Sequence, residues 1–247
     1  MVHLSVAEGV HRVEDAYTNW YVIEDGDELT VVDTGHPRSW GSLQELLRLR
    51  RTRPSAIAAV VLTHAHFDHM GFAERARTEL GVPVHAHTSE VSVTRHPWRY
   101  DHERSRVPYM LRYPGFDRAF AAMAAMGALR VKGLSDVSTY TEGEQLDVPG
   151  RPRVVFTPGH TYGHCALHLA DRGVLLAGDA FVTYNPYRAA AGPQIVSGAA
   201  TADSALALRS LDALAALDPE VTLTGHGEPW RASVAVAVEM ARGVGPN

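Results

Sequence analysis

The sequence predicts a layered α/β fold, because short buried-strand patterns alternate with helical patterns through both halves of the chain. Four apolar, β-branched runs have the length and composition of interior strands: 60–63, 154–157, 174–177 and 221–224. Each run ends just before a side chain that can bind a metal ion. The chain has 247 residues, 45% of them hydrophobic, which is enough to bury one large core. We therefore expect a single domain spanning residues 1–247.

Two further strands precede these runs and form a hairpin. The segments 20–23 and 29–32 are apolar and aromatic, and they flank Asp25-Gly26, a common hairpin turn. The hairpin adds two antiparallel strands to the start of the fold.

Three helices are predicted from apolar residues at helical spacing. The first follows Ser39 and carries Leu43, Leu46 and Leu47. The second has Leu at 208, 211, 214 and 217, until Asp218-Pro219 breaks the pattern. The third covers residues 233–242. Together with the strands they favour a layered α/β architecture over a helical bundle or an all-β sandwich.

The segment 93–127 interrupts this alternation with clustered Pro and aromatic residues and an excess of positive charge. It contains six arginines against three acidic residues: Arg95, Arg99, Arg104, Arg106, Arg112 and Arg118 face Asp101, Glu103 and Asp117. We interpret it as an insertion. It forms either a lid over an anionic or aromatic substrate, or a surface helix pair or homodimer contact.

Composition excludes several classes of function. The formal charge of -5 offers no attraction to nucleic acid or to an anionic membrane surface. The single cysteine, Cys165, cannot form an intrachain disulfide. The N-terminus lacks the pattern of a secretion signal, and the most apolar stretch, 119–129, is too short to span a membrane and is typical of an Ala/Met-rich helix. We expect a soluble, cytoplasmic protein whose partner is a small-molecule substrate.

The densest chemical signal is the run His64-Ala65-His66-Phe67-Asp68-His69, with four metal-capable side chains in six positions. Imidazole and carboxylate together suit zinc, iron or manganese, and the lack of Cys ligands argues against a purely structural zinc site. His160, Asp179 and His226 follow the three later strand runs. Because loops at strand ends present functional groups, these ligands could meet at one sheet edge.

These motifs resemble those of the metallo-β-lactamase superfamily. The resemblance rests on the His-x-His-x-Asp-His run, Pro158-Gly159-His160-Thr161, Gly178-Asp179 and Gly225-His226-Gly227, in that order, and spans nearly the whole chain. It implies an αββα sandwich with the metals between its halves. It also implies that one metal is held by His64, His66 and His160, the other by Asp68, His69 and His226, with the Asp179 carboxylate bridging both.

Two divalent ions about 3.5–4 Å apart can share a hydroxide, lower its pKa towards about 7 and polarise a substrate oxygen. We expect two divalent ions, zinc first, with iron or manganese also suited. Asp68 is mainly a ligand but could orient the water or pass its proton to the leaving group. Tyr184 is the candidate phenolic donor to an oxyanion, while Tyr187 or Trp230 could instead line the pocket.

Three residues outside the run 64–69 are predicted to have supporting or structural roles. Asp33 is similar to an Asp that supports the ligands in the family. His164 is expected to hydrogen-bond near the site rather than bind metal. Cys165 is expected to be a small buried apolar residue.

Differences from particular relatives narrow the class. The superfamily members that destroy β-lactam antibiotics typically lack a bridging carboxylate such as Asp179, and flavin-linked diiron relatives carry Glu where this chain has His66. Glyoxalase II adds a C-terminal helical domain that helps bind glutathione, whereas only about one helix's worth of residues follows His226 here. We therefore do not expect specificity for glutathione thioesters. What remains is a hydrolase of an ester, thioester or lactone that uses a metal-bridging hydroxide.

Two alternatives stay open. One is a mononuclear iron dioxygenase acting on persulfides, which would use only the ligands His64, His160 and Asp179. The other is a non-catalytic metal-binding scaffold or sensor, whose mark would be missing ligands.

Overall fold

The computed structural model describes residues 1–247, and for residue 114 its backbone only. The strands are β1 Val2–Ala7, β2 Val10–Asp15, β3 Thr18–Asp25, β4 Glu28–Val32, β5 Ile57–Val61, β6 Val84–His87, β7 Ser138–Tyr140, β8 Arg153–Phe156, β9 Cys165–Leu169, β10 Val174–Gly178, β11 Val182–Asn185, β12 Ala190–Gln194 and β13 Val221–Thr224. The α-helices are α1 Ser39–Arg50, α2 Ala73–Arg75, α3 Val91–Arg95, α4 Val107–Arg112, α5 Pro114–Ala125, α6 Ser204–Ser210, α7 Asp212–Ala215 and α8 Val234–Val244, and α2 continues into a π-helical turn, Ala76–Leu80.

The strands form two main sheets and a separate hairpin. The first sheet has the order β1-β2-β3-β4-β5-β6-β7, antiparallel from β1 to β4 and parallel from β4 to β7. The second has the order β13-β10-β9-β8, in which only β10 and β13 run parallel. Strands β11 and β12 pair with each other as the hairpin.

The two main sheets pack face to face, and helices cover the outer face of each. Side chains that alternate along the strands fill the cores on both faces. In β5, Val61 contributes to the core between the two sheets, whereas Val60 belongs to the core beneath α1. In β10, Leu176 joins the core between the sheets and Leu175 the core beneath α6, α7 and α8. Successive strand residues point to opposite faces, so each buried strand serves two cores. The result is the predicted αββα sandwich.

The predicted elements are found with shifted ends. The hairpin strands, the four buried runs and the three helices are all present, but β5 ends at Val61, two residues earlier than predicted. The helix predicted through Leu217 divides at Leu211 into α6 and α7. Sequence patterns missed β1, β2, β6, β7, β9, β11 and β12, several of which carry charged or small residues. Among the described residues, no helix combines the length and apolarity needed to cross a membrane.

The segment 93–127 contains the end of α3, a loop, and helices α4 and α5. Its loop is fastened by backbone hydrogen bonds to the segment before α6: Glu103 N donates to Thr201 O and Arg104 N donates to Gly198 O, both at 2.9 Å. Tyr100 and Met123 of this segment pack with Phe67 of the metal-binding run. Whether the segment acts as a lid or as a dimer contact stays a prediction.

Candidate metal centre

The fold brings the predicted ligands together as two groups of three. His64, His66 and His160 each offer one ligand atom, and these atoms lie within 4.8 Å of one another. Asp68, His69 and His226 form a second group that meets the same distance limit. The division of residues between the two groups is the one implied by the resemblance.

The Asp179 carboxylate lies between the two groups. Its Oδ2 is 3.4 Å from His160 Nε2 of the first group and 3.2 Å from His226 Nε2 of the second. Its Oδ1 is 3.7 Å from Nε2 of His69. A carboxylate in this place can share its two oxygens between two ions.

The ligands come from the ends of both sheets. The run 64–69 follows β5 of the first sheet, whereas His160 follows β8, Asp179 follows β10 and His226 follows β13 of the second. The expectation of a single sheet edge was wrong. Because the two sheets pack face to face, their strand ends enclose the centre from both sides.

The buried donor atoms fit a metal pair. Nε2 of His64, His66, His69 and His160, together with Oδ1 of Asp179, are buried and have no hydrogen-bond partner in the described part of the chain. Buried polar atoms are normally paired, and leaving one unpaired costs about 1–3 kcal/mol. Converging lone pairs of imidazole and carboxylate are the ligands that zinc, iron and manganese accept.

Asp33 and Thr63 orient two of these imidazoles. His69 Nδ1 lies 3.0 Å from Asp33 Oδ2. The Thr63 hydroxyl donates to the same oxygen at 2.8 Å, so it can only accept from Nδ1 of His64, at 3.0 Å. With Nδ1 protonated in both rings, each Nε2 presents a lone pair to the centre. Asp33 therefore makes the contacts that its predicted role of supporting the ligands requires.

Two more ligands are oriented in the same way by groups outside the motif. His160 Nδ1 lies 3.2 Å from the Thr201 hydroxyl, which itself donates to Val196 O. His226 Nδ1 lies 2.6 Å from the backbone oxygen of Tyr17. Both rings therefore donate through Nδ1 and point Nε2 at the centre.

His164 hydrogen-bonds near the site and belongs to neither ligand group, as predicted. Its Nε2 accepts the backbone N–H of Asp179 at 2.9 Å, and its Nδ1 lies 2.8 Å from the Thr157 hydroxyl. It thus fixes the backbone that carries the Asp179 carboxylate. Cys165 is fully buried, also as predicted.

Glu90 joins the two loops that supply the first ligand group. Its carboxylate accepts the backbone N–H of Ala65 at 2.8 Å and that of Gly163 at 2.9 Å. The side chain is buried, and burial raises the pKa of its carboxyl. A change here would disturb the loops before and after the ligands.

The two groups have opposite electrostatic character. Burial, followed by the charge of neighbouring histidines, lowers the pKa of His64 and His66 well below the usual range. Burial also acts on His69, but Asp179, Asp68 and Asp33 outweigh it and raise its pKa to about 10. In the metal-free protein the second group therefore holds a proton where a cation would bind.

Gly225 makes room for the Asp179 carboxylate. A Cβ at this position would collide with Asp179 Oδ1 and approach Cε1 of His69 to 2.8 Å. The residue before His226 must therefore lack a side chain for the centre to close.

A cavity opens above the ligands. His66, Asp68, His160, Asp179 and His226 line its floor. The segment 93–127 supplies much of its wall through Trp98, Tyr100, Arg106, Phe116, Phe120 and Met123. The centre is thus reached through a largely aromatic and apolar pocket, as small-molecule sites commonly are.

The three aromatic candidates lie in different places. Tyr187 lines the cavity. Tyr184, partly exposed, stacks on Tyr17 with ring centroids 5.9 Å apart and is not among the cavity-lining residues described. Trp230 packs against the core beneath α6, α7 and α8 rather than lining the pocket, so that alternative was wrong. The catalytic role of Tyr184 stays a prediction.

Comparison with known proteins decides the family. The family model described as "Metallo-beta-lactamase superfamily" matches residues 13–226. The chain belongs to the metallo-β-lactamase superfamily. A relative named "Probable metallo-hydrolase YflN", from Bacillus subtilis (strain 168), is 31% identical over 239 residues, which cover 90% of this chain and 85% of that protein.

Solved structures of the superfamily share the fold. A metallo-beta-lactamase family protein from Thermus thermophilus, TTHA1429, aligns with a TM-score of 0.71 and 28% identity, covering 96% of this chain and 79% of its own. A metallo-β-lactamase from Cronobacter sakazakii aligns with a TM-score of 0.68 and 18% identity over 97% of this chain and 90% of its own. At that identity the second comparison bears on the fold alone. The predicted family and αββα fold are confirmed.

Sequence reasoning missed the residues that orient the ligands. Thr63 directly precedes the motif, and its position at a strand end was a usable signal. Thr201 lies 41 positions from His160, and Glu90 lies 25 positions from Ala65, whose backbone N–H it accepts. No spacing pattern connects such residues, and only the fold brings them together.

Proposed function

We propose that this member of the superfamily is a dinuclear metal hydrolase that cleaves an ester, thioester or lactone. The observation that carries the proposal is the Asp179 carboxylate between two complete three-residue groups at the floor of an apolar cavity. Zinc is the metal we expect first, with iron or manganese as other candidates. The 31% identical relative, named as a probable metallo-hydrolase, supports the hydrolase class.

A bound pair of divalent ions would supply a water of pKa about 7 and an electrophile for the substrate carbonyl. The chain's own residues supply position and proton transfer. Asp68 lines the cavity floor, and the Thr18 hydroxyl donates to its Oδ2 at 3.3 Å. From there its carboxylate can take a proton from the nucleophile and return it to the leaving group.

The apolar wall of the cavity favours a substrate with an apolar acyl chain. Phe116, Phe120 and Met123 line the cavity. Such a surface excludes water and packs against hydrocarbon. A carbonyl on the floor with its apolar acyl chain against this wall fits both halves of the pocket.

The persulfide dioxygenase alternative needs one iron and only His64, His160 and Asp179. The second group, Asp68, His69 and His226, is complete and buried, which favours two metals. The same completeness weighs against a non-catalytic scaffold or sensor.

The deciding experiment is metal quantification of the purified protein, followed by assays of the same sample. Ester, thioester, lactone, phosphodiester, β-lactam and persulfide substrates would be compared. Close to two metal ions per chain, with turnover of a carbonyl ester class, supports the proposal. One iron per chain with oxygen consumption would replace it with the dioxygenase.

The bridging residue gives a sharper test. Asp179→Asn removes one anionic oxygen from both metals, so metal content and kcat/KM should fall together, the latter by at least about 100-fold. Exposed Asp171→Asn is the matched control and should behave as the unsubstituted protein. Full activity of Asp179→Asn with one bound metal would contradict the dinuclear scheme.

The phenolic donor is tested by comparing two tyrosines. If Tyr184 donates to the oxyanion, Tyr184→Phe should lower kcat by about 10-fold or more, because loss of one oxyanion donor lowers kcat markedly. Tyr187→Phe is the companion variant, because Tyr187 lines the cavity. Unchanged turnover of Tyr184→Phe would dismiss the proposal for Tyr184.

A further inference from the structure

Arg106 is a cationic side chain in the wall of an otherwise largely apolar and aromatic pocket. It directly precedes α4 and lines the cavity with Trp98, Phe116 and Phe120. The other five arginines of the segment 93–127 are exposed, whereas Arg106 is partly buried. An ordinary solvated surface arginine would not be expected at this place.

The guanidinium is held in position by contacts that leave its outer end free. Nε donates to the backbone oxygen of Ala199 at 3.3 Å. Cζ lies 4.9 Å from the ring centroid of Tyr100, and the Tyr100 ring in turn lies 4.0 Å from that of His66. Within the part of the chain that the structure describes, its two terminal NH2 groups donate to no protein acceptor and form no ion pair.

The charges around the cavity leave this cation unbalanced. The carboxylates on the floor are Asp68 and Asp179, and both lie against the ligand histidines. Two divalent ions would carry four positive charges, which these two carboxylates, the buried Asp33 beside His69 and a shared hydroxide would balance. The floor would then supply no negative charge to pair with Arg106. A pocket of one charge sign with apolar walls attracts a ligand of the opposite sign.

We propose that Arg106 determines specificity by binding an anionic group, a carboxylate or phosphate, carried on the apolar acyl part of the substrate. This inference rests on the proposed hydrolase function. The reacting carbonyl lies on the floor, the hydrocarbon packs against the aromatic wall, and the anionic group accepts hydrogen bonds from Nη1 and Nη2. A guanidinium offers parallel N–H donors that match the two oxygens of such a group.

The test compares acidic and neutral substrates of equal length on the zinc-loaded protein. Mono-p-nitrophenyl succinate, glutarate and adipate are paired with p-nitrophenyl butanoate, pentanoate and hexanoate, and a phosphate-ended ester of the best length tests the second anion. We expect the acidic member of at least one pair to have the higher kcat/KM. Arg106→Gln should lower the acidic-to-neutral ratio by about 10- to 100-fold, mainly through KM, as expected for loss of a charged hydrogen bond.

Two further variants separate recognition from folding. Arg106→Lys keeps the charge but loses the planar fork and should restore the ratio in part. Arg118→Gln changes an exposed arginine of the same segment and should leave the ratio unchanged. An equal ratio in Arg106→Gln and in the unsubstituted protein overturns the inference.

A binding assay keeps this inference separate from the proposed function. Glutarate and pentanoate, which have the same number of carbons and no ester bond to hydrolyse, are titrated into the zinc-loaded protein by calorimetry. Both compounds carry one carboxylate, and only glutarate carries a second. Tighter binding of glutarate that is lost in Arg106→Gln supports the anion site even if no ester is hydrolysed, which would count against the hydrolase alone. Equal binding of the two compounds, in both proteins, would count against Arg106 whatever the enzyme hydrolyses.

Discussion

Single residues around the ligands decide where the imidazole lone pairs point. Asp33 accepts from His69 and from Thr63, and Thr63 in turn accepts from His64. One carboxylate thus orients a histidine of each ligand group. Asp33 also has a backbone φ of 58°, a conformation that is uncommon outside glycine, which is in keeping with a position under functional constraint.

The Thr63 hydroxyl gives a test of this arrangement. Thr63→Val keeps the shape of the side chain but removes the acceptor for His64 Nδ1, so metal affinity should fall by about 10- to 100-fold. The affinity is measured by competition with a chelator of known strength. Thr63→Ser retains the hydroxyl and should bind nearly as the unsubstituted protein does. Equal affinities of the valine and serine variants would show that the hydroxyl does not orient His64.

At the scale of elements, the ends of four strands determine the site. Strand β5 delivers the first ligands from one sheet, and β8, β10 and β13 deliver the others from the second. The turn after β13 is hydrogen-bonded to both sheets. Gly225 N donates to Gly178 O of β10, and Asn19 N of β3 donates to Gly225 O, each at 2.7 Å. A turn held this closely leaves no room for a larger residue.

Gly225→Ala tests the packing of that turn. The added methyl group would displace Asp179 or His69, so the variant should lose metal and activity and cost about 1–3 kcal/mol of stability. Gly243→Ala is the matched control, because a Cβ in that position of α8 meets nothing within 4 Å. It should stabilise the protein by about 0.5–1 kcal/mol, since Ala favours helix over Gly. Denaturant unfolding with metal analysis measures both, and full metal content in Gly225→Ala would contradict the packing argument.

At the scale of the whole molecule, the centre couples metal binding to pH. His69 gains a proton on folding without metal, because the carboxylates of Asp179, Asp68 and Asp33 raise its pKa to about 10. Asp179, through its charge and hydrogen bond, raises the pKa of His226 as well, against the effect of burial. A metal ion and these protons compete for the same nitrogens.

The metal-free protein should therefore lose stability as pH rises from 7 to about 9.5. A raised folded-state pKa stabilises below the unfolded value, about 6.5, and this contribution disappears as pH rises through the folded-state value. The zinc-loaded protein should not show this loss, and it should be more stable by about 2.7 kcal/mol at a free zinc concentration 100 times Kd. Urea unfolding at each pH, with zinc or with chelator, measures the effect. Stability of the metal-free protein that is constant or rising over this range would refute the assignment of a protonated His69.

A matching readout is proton release on binding. Zinc added at pH 8 should displace protons from the second ligand group, because its histidines must be neutral to bind metal. Calorimetric titrations in two buffers of different ionisation enthalpy give the number released. Identical heats in the two buffers would mean that no proton is displaced.

The sequence by itself determined the family, the layered fold and the candidate ligands. The run from His64 to His69 and the strand-end positions of His160, Asp179 and His226 are local patterns, and such patterns can be recognised in the sequence without a structure. Only the tertiary structure decided that the candidate ligands meet between two sheets, that Thr63, Thr201 and Glu90 support them, that Arg106 lines the pocket and that Tyr184 stacks on Tyr17. These are contacts between residues far apart in the chain, and their geometry is set by how sheets and helices pack, which no short-range spacing records.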